Sequence, residues 1–423
     1  MSSRAYRVVD VNRIDVARWL EGRTETVVHV GMDIGKDAIL CTLRWGRTDF
    51  DRPWRARNPF EVARLAELLQ RVGHGRELVV AMEPTGTYGD ALRQALERVG
   101  IAAQRVSPKQ ASDFAEVFDG VPSQHDGKDA AVIAELAAQG RCWPWPMPNS
   151  TEIEQEIAYH VDWMDGQRRQ MMVWCGRVEA MLSRHWPEAT RILRLCSATL
   201  LRCLSKYGGP RGLAAAPDGV AEVRRWGRCY VSLEKAQKLV ASARDTAGVE
   251  MRAWDENRLR CYAREVHKCR QEMQTSRRRL MALTCDHATI RALGEVVGVP
   301  TACVLWTELG DPKSYHCGPA YRKAMGLNLA ERSSGRWQGK LKISKRGSSK
   351  ARRWLYLAAL RWVRVEPVRS WYQRQKAARR GEGKAALVGV MRKLALALYR
   401  VGRGEPFAAN ALYASLTATS SES

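Results

Sequence analysis

Between Thr26 and Trp45 (TVVHVGMDIGKDAILCTLRW) β-branched and apolar residues come in two runs split by a short glycine-containing turn. This predicts a β-hairpin with Asp33 near the end of its first strand. Phe60 to Val72 spaces its apolar residues at helical intervals, and the run RELVVAM at 76–82 reads as a short buried strand that ends in Glu83. A helix over Tyr88–Val99, a strand over Ile101–Val106, a helix near Gln110–Phe118 and a loop into Asp126 and one more helix complete the alternation. The pattern predicts an α/β domain over 25–142, preceded by a charged leader at 1–24. In the segment WPWPMP at 143–148 each proline removes a backbone donor and restricts its predecessor, so a hinge is expected there.

From 150 to 286 the pattern is helical over long stretches, with one clear break at Tyr207–Pro217, and predicts a central region of long packed helices with coiled-coil character. Its heptad seam is too imperfect to count strands, and dimerisation through it stays open. The remainder, 287–411, is expected to be a mainly α domain, with a short tail at 412–423. Within it, Ile290–Leu309 sets a glycine-containing turn between two apolar helical runs. That is either a helix-hairpin-helix, offering backbone N–H groups to phosphate, or an ordinary helical turn. Ser333–Tyr356 shows short polar alternation leading into a helix, KARRWLYLAALRWV.

Composition narrows the function. With 423 residues and 45% hydrophobic content the chain can build two or three cored domains. Its 11 cysteines contain no C-x-x-C pair, which argues against a zinc ribbon or a disulfide framework and for a reducing cytosol. No run approaches the roughly 18–20 apolar residues of a membrane span, and MSSRAYRVVDVNR lacks the apolar core of a signal peptide. The net charge is +24, and Arg332–Arg403 holds 21 Lys and Arg against only Glu366 and Glu382. A basic block this one-sided points to a polyanion, nucleic acid above all, with a solvated basic face as the plain alternative.

Four acids carry candidate chemistry. Asp33 and Glu83 each follow apolar strand residues, where an ionised carboxylate asks for a cation or a donor. Asp126 and Asp129 stand at i and i+3, on one face of a helix at its start. Carboxylates from two strands and one helix form a ligand set for two hard divalent ions about 4 Å apart, magnesium being the natural choice, acting at a phosphodiester. Taken singly each acid has a structural alternative: a turn former at Asp33, a helix cap at Glu83, a partner for the helix dipole at Asp126 or Asp129.

The segments MDIGKD around Asp33, MEPTGTYGDAL around Glu83, VSPKQASDFAEVF and QHDGKDAAVIAELA resemble the DEDD transposases of insertion sequences guided by a bridge RNA, a family that includes the pilin-gene DNA invertases. RALGEVVGVP and YRKAMGLNLAERSSGRWQGKLKISKRGSSKARRWLYLAA are similar to the same family's transposase domain, and the middle helical region matches poorly. The length and that middle region are similar to the longer-chained branch of the family. The resemblance implies a RuvC-like (ribonuclease-H-like) domain in which Asp33, Glu83, Asp126 and Asp129 bind magnesium. It also implies a serine nucleophile, Ser334 by its position before Gly335, with Ser333 beside it as the alternative, forming a phosphoserine ester with DNA. DNA at element ends and target, a structured guide RNA, a homo-oligomer (dimer or tetramer) and a bacterial, nucleoid-associated cytoplasmic setting follow from the same resemblance.

A serine hydroxyl is a weak nucleophile until a base or a metal activates it, so it must meet the carboxylate site, within one chain or between protomers. Without the family, Ser333-Ser334-Gly335 reads as a polar turn. Lys340, Lys342, Lys345, Arg346, Lys350, Arg352 and Arg353 are candidate phosphate contacts, and Gly347 leaves room for close backbone approach. Trp337 and Trp354 are either stacking residues or core. Two rival readings are a water-using junction endonuclease that needs no serine and a nucleic-acid-binding regulator that cuts nothing.

Overall fold

The apolar hairpin lies at the middle of a mixed sheet because its residues are buried on both faces. β2 (Val27–Ile34) and β3 (Ala38–Trp45) pair antiparallel, with Asp33 opposite Leu40. Around them the sheet runs β1 (Val9–Asp10), β5 (Trp54–Arg57), β3, β2, β6 (Glu77–Met82), β7 (Ala103–Val106), β8 (Cys142–Pro144), with β4 (Asp49–Phe50) paired to β3. β6 is parallel to β2 and β7 is parallel to β6, whereas β5 and β8 are antiparallel to their inner neighbours. The computed structural model describes residues 7–46, 49–118, 126–145, 147, 151–331 and 341–413. It separates into two units, 1–149 and 150–423.

In the first unit each sheet face carries its own helical layer. Val28, Val30, Met32, Val80 and Met82 pack with Leu65, Leu68 and Leu69 of α2 (Val62–Val72) and Leu92 and Leu96 of α3 (Asp90–Arg98). On the opposite face Ala81 and Val106 pack with Ala111 of α4 (Pro108–Ala115) and with Val132, Ile133 and Leu136 of α5 (Asp126–Ala138). The region read as a leader belongs to this fold: β1 pairs with β5, and Val11, Ile14 and Val16, the last on α1 (Val16–Trp19), are buried in the core. Its charged residues lie between those apolar ones and remain at the surface, which is why composition alone hid it. The proline segment also begins as structure, since Cys142–Pro144 forms an edge strand. There the missing N–H of Pro144 costs no interior ladder bond. Trp145 donates its amide to Ala103 O at 2.9 Å and lies 3.9 Å under the Arg93 guanidinium.

The second unit is built on two long helices that are each other's partner within the chain. α6 (Glu152–His185) opens with a capping box, in which Thr151 and Glu154 satisfy each other's backbone N–H groups. Its 34 residues span about 50 Å. α12 (Ala253–Leu283) runs antiparallel beside it: Glu156 pairs with Arg279 at 2.6 Å and Trp163 reaches Glu272, while Trp174 meets Tyr262 further along.

One end of this pair carries α7 (Ala189–Ile192), α8 (Ala198–Tyr207), α9 (Pro210–Ala214), α10 (Gly219–Gly227) and α11 (Leu233–Arg244). Their core includes Leu182, Trp186, Leu200, Leu204, Leu239 and Val266. The other end carries α13 (Ala288–Val297), α14 (Val299–Leu309), α15 (Gly318–Ala324), α16 (Ser349–Trp362), α17 (Val368–Ala378), α18 (Gly383–Gly402) and α19 (Ala409–Tyr413). A second core there contains Ile157, Leu280, Leu293, Leu305, Tyr321, Leu355 and Leu394. Among the described residues no helix is long and apolar enough to cross a membrane.

Candidate active site and nucleic-acid surface

Gly31 determines where the acids meet. A Cβ placed on it would stand 2.0 Å from Ala130 O and 2.3 Å from Ala134 N, so α5 lies directly on β2 at this residue. The carboxylate of Glu135 accepts from Arg44 Nε at 2.6 Å, and Arg44 is the cross-strand partner of His29. Together these contacts run α5 antiparallel to β2, with its first turn over the strand's C-terminal end. Asp33 is two residues beyond Gly31 on the same face, about 7 Å further along. Met82 is the register partner of Met32, so Glu83, one residue later, stands beside Asp33. Ala81, the register partner of Gly31, is buried with Val132, Ile133 and Leu136 of α5.

Glu83 is partly buried, and burial together with the charge of Asp129 pushes its pKa above the ordinary carboxylate value. A partly buried carboxylate with a second acid acting on it offers oxygen donors suited to a hard divalent cation. Asp126 is the first residue of α5, but its side chain lies outside the described residues. Among the described residues no three His, Cys, Asp or Glu side chains converge as a metal cluster. What the fold brings together is therefore Asp33 and Glu83 on adjacent strand ends, with Asp129 acting on Glu83 from the start of α5. Lys128 is 3% exposed, a buried lysine between Asp126 and Asp129 that the sequence reading passed over. The letters DGKD gave no signal of it, since a lysine among acids is ordinarily a solvated surface charge.

The serine candidates Ser333 and Ser334, with Lys340 and Trp337, lie outside the described residues. The chain on either side of them is paired: β9 (Leu329–Ala330) and β10 (Lys342–Ile343) are antiparallel, with Lys342 opposite Ala330. Below this pair Ser344 N donates to Asn328 O, Lys345 N to Gly326 O and Ser348 N to Ala324 O. Gly347, read as room for nucleic acid, serves this stem instead. Its φ is +137°, and a Cβ would stand 2.2 Å from Ala324 O.

The basic candidates divide into two groups. Lys342, Lys345 and Arg346 are exposed on the stem. By contrast, Lys350 is paired with Asp162 and with Glu308 at 3.2 Å, Arg353 is paired with Asp165, and Arg352 donates to Met325 O at 3.0 Å. Trp354 packs against the C-terminal core, as does the turn at Gly298, whose preceding carbonyls at Val296 and Val297 accept from Trp362 and Arg361. A basic cleft missed in the sequence lies among α15, α17 and α18. It is a cavity of about 260 Å³ lined by Arg322, Arg379, Arg392 and Lys393 with Trp371. Burial and the facing Arg322 lower the pKa of Arg392.

A family model described as "Transposase", of the DEDD type of IS110 elements, matches residues 30–173. A second, described as "Transposase IS116/IS110/IS902 family", matches residues 295–373. A Streptomyces coelicolor protein, "Insertion element IS110 uncharacterized 43.6 kDa protein", is 24% identical over 293 residues, 66% of this chain and 68% of its own. With the acid-bearing sheet under the first match and the basic helical part under the second, the chain is a DNA-transposing enzyme. It is a transposase of the IS110 family, and insertion-sequence transposition is its work.

Proposed function

We propose that the chain is an RNA-guided DNA recombinase that excises and inserts its own element through a serine nucleophile and a magnesium-binding acid set. The observation that carries the acid site is the seating of α5 on Gly31, which sets Asp129 against Glu83, while the register of β2 and β6 stands Glu83 beside Asp33. The sheet supports a RuvC-like reading, because an antiparallel hairpin followed by strands parallel to its first member is the ribonuclease-H arrangement. Asp33, Glu83, Asp126 and Asp129 would hold the ions, two per site in this reading. When bound, such ions polarise the scissile phosphate and stabilise the attacking and leaving oxygens. The first turn of α5 fixes the angle at which Asp129 meets Glu83.

Ser334, with Ser333 as the alternative, falls in sequence between β9 and β10. Its oxygen forms a bond to phosphorus as a deoxyribose oxygen leaves, and the ester so made keeps the bond energy needed to rejoin a strand. Lys342, Lys345 and Arg346 are available for phosphate, as are Arg322 and Arg392 in their cleft. The guide RNA, and a homo-oligomer in which one protomer's serine completes another's acid site, belong to this same proposal, resting on the family resemblance.

The test incubates the purified protein with labelled element-end DNA, the flanking transcript and magnesium, then denatures it. A labelled covalent protein band that Ser334→Ala and Asp33→Asn both abolish is the expected result. Free cleaved DNA that survives Ser334→Ala and Ser333→Ala but not Asp33→Asn would replace serine attack by water.

A further inference from the structure

Between the two matched segments, at 174–294, the chain places a second concentration of positive charge that none of the chemistry above uses. Arg202, Ser205 and Lys206 occupy i, i+3 and i+4 of α8 and therefore share one helix face. Arg264, His267 and Lys268 do the same on α12, which packs beside α8. These two faces, with Trp226 of α10 as an apolar wall, line an open cleft of about 420 Å³. Lys206 is balanced by Glu222 at 2.6 Å. Arg202, Arg264 and Lys268 are exposed and form no ion pair among the described residues. Like charges at i and i+4 on a helix repel, and two such faces turned on one another repel further, so an anion between them relieves that repulsion.

We propose that this cleft binds the sugar-phosphate backbone of a single nucleic-acid strand, with Arg202, Arg264 and Lys268 on its phosphates and Trp226 against an unpaired base. The volume lies in the range of clefts that take a small ligand, about 300–1,000 Å³. An aromatic wall beside cations is the combination that recognises an unstacked base next to its phosphate. A duplex keeps its bases stacked inside and offers Trp226 nothing. The strand is either an unpaired RNA segment or DNA opened during recombination, and the chemistry of the cleft is the same for both.

The experiment uses the full-length protein and twelve-residue oligo-uridine and oligo-thymidine probes, each with one 4-thio base, irradiated and mapped by mass spectrometry of the cross-linked peptides. Cross-links are expected in α8, α10 or α12, and Arg202→Ala/Arg264→Ala/Lys268→Ala should lower their yield at least about ten-fold. Cross-links to the C-terminal basic segment should persist, which separates this cleft from the DNA surface proposed above. Preference for the RNA probe or for the DNA probe identifies the strand, and either preference supports the cleft. Arg202→Lys/Arg264→Lys, which keeps the charge, should retain the signal and guards against misfolding of the triple variant. Cross-links confined to other parts of the chain, yields unchanged in the triple variant, or equal yields from a duplex of the same sequence would overturn the proposal.

Discussion

Gly31 has no side chain because a backbone occupies the place where one would stand. A methyl group there meets Ala130 O at 2.0 Å, and main-chain atoms cannot swing aside as a flexible side chain does. Gly31→Ala must lift α5 from the sheet, which costs about 1–3 kcal/mol or more. The expected result is a melting temperature lower by roughly 5–10 °C, with strand cleavage lost because Asp129 moves from Glu83. A variant with native stability and activity would refute the close seating. Glu83 makes the reverse prediction. Burial and Asp129 raise its pKa in the folded chain, so the ionised group is a penalty that is full above that raised value and absent below the unfolded one. In chelator at pH 8, Glu83→Gln should therefore melt no lower than the parent, and any advantage should vanish near pH 4. Magnesium should raise the melting point of the parent alone.

The interior elements were legible because their residues announce a single environment. β2, β3 and β6 are short apolar runs buried on both faces, and α2 and α3 show clean helical spacing. β1, β4, β5 and β8 were missed, since strands of two to four residues are too short to show a readable period, and β1 and β8 lie at the sheet's edges. The same limit applies to charge. Lys350 and Arg353 read as phosphate ligands, but their acids, Asp162 and Asp165, come from a helix 188 residues earlier in the chain. Asp165 is nearly buried. Burial acts to raise its pKa, and Arg353 and Arg168 more than offset that, holding it below the ordinary value. Its contribution to stability is thus present above about pH 4 and lost as the pH falls through the lowered folded value. Asp165→Asn, which leaves Arg353 facing a neutral amide between α6 and α16, should cost about 2 kcal/mol at pH 7, and the difference should shrink in acid. Equal melting curves at pH 7 would show that the pair does not hold these helices together.

Across the molecule, the distribution of charge says more than its total. The net +24 was plain from composition, and the basic block at 332–403 pointed correctly to a nucleic-acid partner. The sequence could not say which cations are available, because that depends on the acids the fold brings to them. Exposed Lys342, Lys345 and Arg346 are free to meet phosphate, whereas Arg353 is committed to Asp165. The salt dependence of DNA binding distinguishes the two kinds, since each neutralised phosphate adds about 0.9 to the slope of log affinity against log salt. Lys342→Ala/Lys345→Ala/Arg346→Ala should reduce that slope by about 2–3 and leave the melting temperature unchanged. Arg353→Ala should do the opposite, lowering the melting temperature with little change in slope, because its charge is already neutralised inside the protein. If the stem variant keeps the parent's slope, those three side chains do not meet phosphate, and the DNA path must run over the cleft of Arg322 and Arg392 instead.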